Sequence, residues 1–188
     1  MKRTVLLTLA LFAVAAVVSA QKLSGNISPL KGQKEVNVIL DFSGMLVNNQ
    51  PEESHIAFFT KDKNEEEKAQ WLKEWNEDLR HDAYESLTGY LNKTVNKTGL
   101  SAGDYAKAEY TIYVKVVNIN VGAFLVTNSS VKADVSFMKT GETTPFATVN
   151  YNVIGRNSSY VAVPVARIVN PFGYLGDNIG KLIVKNLK

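Results

Sequence analysis

The sequence predicts a single α+β domain behind an export leader, and three observations predict it. Residues 64–97 repeat apolar side chains at helical spacing behind a capping sequence. Residues 109–154 hold segments that alternate apolar and polar, the period of half-buried strands. Residues 172–187 return to helical spacing. The expected architecture is a mixed, mostly antiparallel sheet with the long helix and the C-terminal helix packed on one face.

Residues 1–20 read as a secretory signal peptide. Lys2 and Arg3 precede an apolar run over 5–18, and Val18-Ser19-Ala20 places small residues where a signal peptidase reads, so cleavage is expected between Ala20 and Gln21. The apolar run is short for a membrane span of about twenty residues, and no second one follows. Losing Lys2 and Arg3 leaves 19 basic against 18 acidic residues, so the formal charge falls from +3 to +1. A near-neutral chain lacks the basic footprint that nucleic acid needs. With no cysteine, disulfides, thiolate zinc sites, a cysteine nucleophile and bacterial lipid anchoring are excluded. The protein is therefore expected in the periplasm or outside the cell, either free or peripheral to the outer membrane. Five Asn-x-Ser/Thr sequons, at Asn26, Asn92, Asn96, Asn128 and Asn157, are read as chance in an Asn-rich chain behind a bacterial-type leader.

Residues 21–33 contain Gly25, Pro29 and Gly32 without periodicity, and are expected to form a loose arm before a domain spanning 34–188. Residues 35–42 are dense in β-branched and apolar side chains and predict the first strand. An irregular excursion follows over 43–64, with a turn cluster at 48–51 and a short strand expected at 55–60. Asn64 as N-cap and Glu67 three residues on open a helix expected over 65–97. Leu72, Trp75, Leu79, Ala83, Leu87 and Tyr90 share its apolar face, Gly99 stops it, and its length predicts a kink near Gly89.

The strand over 109–121 slips register at Val116-Val117, which predicts a β-bulge. Residues 131–138 alternate, 139–142 turn, and 146–154 return as a hairpin. A short helix opened by Pro164 is expected to end at Pro171, before the final helix.

This order, with the segment Ala108-Glu-Tyr-Thr-Ile-Tyr-Val-Lys-Val, resembles exported bacterial envelope proteins of the curli-secretion-subunit-like and TolB N-terminal-like α/β groups and uncharacterised Bacteroidetes families. The matching pieces are Gly99-Leu100, Ala108 to Ile112, Thr140-Gly141, and Leu175-Gly176 to Ile179-Gly180-Lys181. The resemblance implies a non-enzymatic envelope role as a scaffold or partner-binding module. The chain departs from it in lacking the lipid-bearing cysteine and in its long excursion after the first strand.

Candidate chemistry is sparse. His55 and His81 have no metal-ligand spacing; His81 falls on the polar helix face, and His55 follows Glu52 and Glu53 in what reads as a polar turn. Asp41, at the end of the first strand before Phe42-Ser43-Gly44, is the best single acid, with turn capping as the simpler role. Ser43 and Ser86 lack a nucleophile elbow. Gly173, Gly176 and Gly180 lack phosphate-loop spacing and read as close packing of helix on sheet. Trp71, Trp75 and Tyr90 read as core, with sugar or base stacking as the alternative. Asn118, Asn120, Asn150 and Asn152 repeat at period two and, with Tyr113, mark a candidate partner surface on an open sheet face.

No catalytic residue, cofactor or metal ligand set emerges. The expected function is an exported, non-catalytic module that binds an envelope protein or a glycan through its sheet or its excursion. The alternative is a carrier of a small ligand or glycan.

Overall fold

The structure is a computed structural model that describes residues 22–161 and 164–187. The expected leader, residues 1–20, lies outside the described residues. In chain order the strands and helices are β1 (Ser24–Gly25), β2 (Glu35–Asp41), β3 (Leu46–Val47), β4 (Gln50–Pro51), α1 (Glu52–Thr60), α2 (Glu65–Lys73), α3 (Leu79–Val95), β5 (Ser101–Gly103), β6 (Tyr110–Asn120), β7 (Ser130–Lys139), β8 (Ala147–Ile154) and α4 (Pro164–Leu187). One mixed sheet runs β1-β8-β7-β6-β2-β5, with β3 also beside β6 and β4 beside β3. The half from β1 to β6 is antiparallel, whereas β6, β2 and β5 are parallel. The architecture is α+β in a single domain, as the sequence predicts.

Strand alternation sets the two faces. Ile112, Val114 and Val116 of β6, Val131, Ala133 and Val135 of β7, and Val149 and Tyr151 of β8 are buried. The register slips between Val116 and Asn118. This bulge at Val117 returns Ile119, opposite Val131, to the buried face. The other face carries the alternate residues.

The capping box forms as expected: Asn64 Oδ1 accepts from the Glu67 backbone and Glu67 Oε2 from the Asn64 backbone. Gly99 adopts φ +80° at the C-terminal stop. The helix runs unbroken through Gly89. It is interrupted earlier by a π-helical turn, Glu74–Asp78, that separates α2 from α3. Gly89 instead sits on the exposed side of α3.

Three further expectations are corrected. Residues 55–60 are not a strand but the end of α1, which opens after Pro51 and carries Glu52 and Glu53 in its first turn. The arm is not loose: Ser24 and Gly25 pair with Thr148 and Ala147, and Ile27 and Leu30 are buried around a 3₁₀ turn at Ser28–Leu30. Two apolar side chains three residues apart are enough to plug a core and too few to show a period.

Pro171 does not end a helix either, since α4 runs through it. A proline leaves the carbonyl four residues earlier without its helical donor. Here that carbonyl belongs to Arg167, and the buried Ser129 hydroxyl donates to it instead.

α4 packs against α3 through Gly173, Gly176 and Gly180. Their nearest neighbours are Ser86 and Tyr90, Leu87 and Leu91, and Thr94. The three glycines therefore serve helix-on-helix contact rather than the helix-on-sheet contact expected. Both helices cover the face of the sheet that carries Ile112 and Val135, where the core gathers.

Candidate functional site

The outer sheet face carries the predicted polar residues, and the strand register shows how they meet. Asp41, Lys115, Asp134 and Asn150 lie side by side across β2, β6, β7 and β8. Lys115 Nζ binds Asp41 Oδ2 at 2.7 Å, and Asn150 Nδ2 donates to Asp134 Oδ1 at 2.6 Å. Such cross-strand pairs stabilise the sheet that bears them.

Asp41 also accepts from the Tyr113 hydroxyl, the Ser43 hydroxyl and, at 2.8 Å, the Ser43 backbone. The backbone bond caps the turn after β2. Burial alone would raise the Asp41 carboxyl, but the bonds from Lys115, Tyr113 and Ser43 outweigh it and hold it well below the usual carboxylate range. The same bond to Asp41 pushes the Tyr113 phenol up to about 12. Asp41 is thus a locked anion with its lone pairs occupied, suited to fixing the β2 end rather than to proton transfer.

The asparagines divide. Asn150 and Asn152 are exposed on the outer face. Asn120 is half-buried and donates to Ser130 Oγ at 3.1 Å. Asn118 is buried, accepting from the Asn49 backbone at 2.9 Å under the β3–β4 turn. Its place in the candidate surface is corrected: it pins that turn to β6. Period-two spacing assigned Asn118 to the right face but could not show the short hairpin lying over it.

The aromatic residues converge at the other candidate region. His55 of α1 packs against Phe59 at 4.6 Å and Trp75 at 4.7 Å between ring centroids. Trp71 and Trp75 stack within 7° at 5.4 Å, and Phe59 and Trp71 within 6° at 6.0 Å. Tyr90 is not part of this group; it packs on Tyr174. His55 is therefore not in a polar turn. Burial lowers its pKa, partly opposed by Glu52, so the imidazole is neutral at physiological pH.

Trp75 Nε1 donates to Glu52 Oε1 at 2.7 Å, and Arg80 donates to the same oxygen at 3.1 Å. Between this cluster and the start of α4 lies a cleft of about 80 Å³, lined by His55, Phe59, Trp71, Glu74 and Trp75 on one side and Val121, Pro164, Val165 and Ile168 on the other.

One end of the molecule exposes large apolar side chains that the sequence analysis did not single out. Phe124, Leu125 and Val126 form the tip between β6 and β7, with Leu125 63% and Val126 77% exposed. The Leu125 backbone donates to Ser159 O at 2.6 Å, which joins the tip to the 3₁₀ turn bearing Tyr160, 70% exposed. Leu125 holds φ +58°, a region that branched aliphatic residues rarely occupy. Phe58 and Phe59 of α1 are also exposed, and Phe59 lines the same cleft as Val121. Three consecutive large apolar residues between Gly122 and Asn128 were the legible signal.

Among the described residues no helix is long and apolar enough to cross a membrane. Nor does any group of three or more His, Asp or Glu side chains among them take a metal-binding arrangement. No family model matches the chain, and no curated protein matches it. Among solved structures it is similar to the PelC dodecamer from Paraburkholderia phytofirmans, with 8% identity and a TM-score of 0.45, covering 84% of this chain and 96% of that one. A single-substitution variant of that dodecamer in another crystal form gives 7% identity and a TM-score of 0.45, covering 85% and 95%. Overlap at this level assigns neither partner nor assembly to this chain.

Proposed function

We propose that the chain is a non-catalytic binding module of the cell envelope or extracellular space, and that it grips a protein partner through its apolar end. The carrying observation is the tip at residues 124–126, bonded to the turn that bears Tyr160: large apolar side chains displayed to water. Contiguous exposed apolar surface is costly to maintain and marks an interaction site. The left-handed Leu125 supports the same reading, since backbone strain persists where display of a side chain is selected over stability. The outer sheet face is the weaker candidate, because Asp41 and Lys115 are paired with each other and Asp134 is bonded to Asn150.

The test places a photo-crosslinking residue at Val126, and separately at Asn152, in the producing cell. A discrete protein adduct is expected from Val126 and none from Asn152. Absence of an adduct at Val126, or equal capture at both positions, overturns the assignment.

A further inference from the structure

We propose that the cleft between α1, the π-helical turn and the start of α4 binds a methylated ammonium group, the headgroup chemistry of choline-like cations. The argument begins with the chain's departure from a regular helix. A π turn inside a helix is rare and frequently marks a functional site. Glu74–Asp78 forms one here, and it carries Trp75 and Glu74, two of the cleft's walls.

Trp75 is held from outside the cleft, since its indole N–H is spent on Glu52. The ring is buried, so only its rim reaches the cleft and the open π surface comes from half-buried Trp71 and exposed Phe59. Phe59 and Trp75 each lie parallel to Trp71 within 7°, at centroid separations of 6.0 and 5.4 Å. At a contact distance of roughly 3.5 Å, such rings are slipped sideways by about 4–5 Å, so the stack is offset and Phe59 stays 42% exposed at its end.

The remaining chemistry selects the ligand. Val121, Pro164, Val165 and Ile168 supply apolar wall and no side-chain donor. His55 is kept neutral by burial, so no fixed positive charge on the cleft wall competes. Glu74 brings the one carboxylate, hydrogen-bonded to Gln70 at 2.9 Å and in no ion pair among the described residues. Aromatic faces, an unneutralised carboxylate and few hydrogen-bonding groups suit a cation that has no hydrogens to donate. At about 80 Å³ the cleft suits a compact headgroup.

Both tryptophans of the chain line this cleft, so intrinsic fluorescence reports on it alone. The purified chain is titrated with choline chloride at constant ionic strength, and with 3,3-dimethylbutanol as the uncharged isostere. A saturable fluorescence change with choline is expected, at least about tenfold weaker for the isostere. Glu74→Gln is expected to weaken choline several-fold and leave the isostere unchanged, with an unaltered melting curve. No saturable change up to about 100 mM choline overturns the proposal; so does equal binding of the isostere, or choline affinity indifferent to Glu74→Gln.

Sedimentation with phosphatidylcholine but not phosphatidylglycerol vesicles, lost in Glu74→Gln, would place the bound group on a lipid. Choline binding without sedimentation would make it a free solute. None of these readouts depends on the protein partner proposed for the apolar end.

Discussion

Replacing Gly176 by alanine should destabilise the fold, although alanine is the better helix former. A Cβ built there lies 2.9 Å from the Leu87 carbonyl carbon and 3.1 Å from the Leu91 nitrogen, and it overlaps the Leu87 oxygen outright. These are backbone atoms of α3, so no rotamer change relieves the contact; the helices must part. Overpacking of this kind costs about 1–3 kcal/mol, and separated helices also forfeit dispersion along their seam. Against this stands the helix-propensity gain of about 1 kcal/mol. An overlap with backbone oxygen puts the cost at the upper end, about 3 kcal/mol, so the net expectation is a loss of about 2 kcal/mol, or a melting temperature lower by about 4–8 °C for a domain this size.

The control is Gly89→Ala in the partner helix. Gly89 is exposed, and a Cβ there meets nothing within 4 Å. Only the propensity term remains, so this variant should melt about 2–4 °C higher. Thermal unfolding followed by circular dichroism measures both. A Gly176→Ala protein melting within about 2 °C of wild type, or above it, would refute the helix-seam reasoning.

Asp41→Asn should cost about 1–2 kcal/mol at pH 7, discounted for the partial exposure of Asp41 and Lys115. The folded Asp41 pKa lies below its ordinary value of 3.8, so its contribution is present above that value and is lost as pH falls through the lowered one. Melting curves of variant and wild type should therefore converge below about pH 4, and a constant gap down to the acid limb would count against the locked anion. Tyr84→Phe should be neutral or stabilising by up to about 1 kcal/mol, because the Tyr84 hydroxyl is buried without a hydrogen-bond partner among the described residues. A loss greater than about 1 kcal/mol by denaturant titration would reveal a partner for it. Leu125→Gly relieves the positive φ while adding unfolded-state entropy, so stability should stay within about 1 kcal/mol while crosslinking from Val126 is lost. Retained crosslinking would show that the Leu125 side chain is not part of the grip.

Much of the fold was legible because the signals were local. The alternation in residues 131–138, the Asn64–Glu67 box and the slip at Val116-Val117 each depend on neighbours a few residues apart. What failed depended on distant chain. Pro171 should end a helix by every local rule, and it does not because Ser129, 38 residues from Arg167, supplies the missing donor. Residues 55–60 carry strand-like composition, yet they coil so that His55 and Phe59 meet Trp71 and Trp75. Asp41 was legible as a turn cap, while its bonds to Tyr113 and Lys115 depend on the β2–β6 pairing.

The sequence by itself determined the α+β class, the strand faces, the helix start and the absence of cysteine chemistry, because periodicity and composition act residue by residue. The tertiary structure decided which side chains meet. It turned three glycines into a helix seam, buried Asn118 under a hairpin and gathered four aromatic rings around a small cleft. It also left residues 124–126 exposed. Apolar side chains look alike in a sequence whether packing hides them or exposes them, and only the assembled core distinguishes the two.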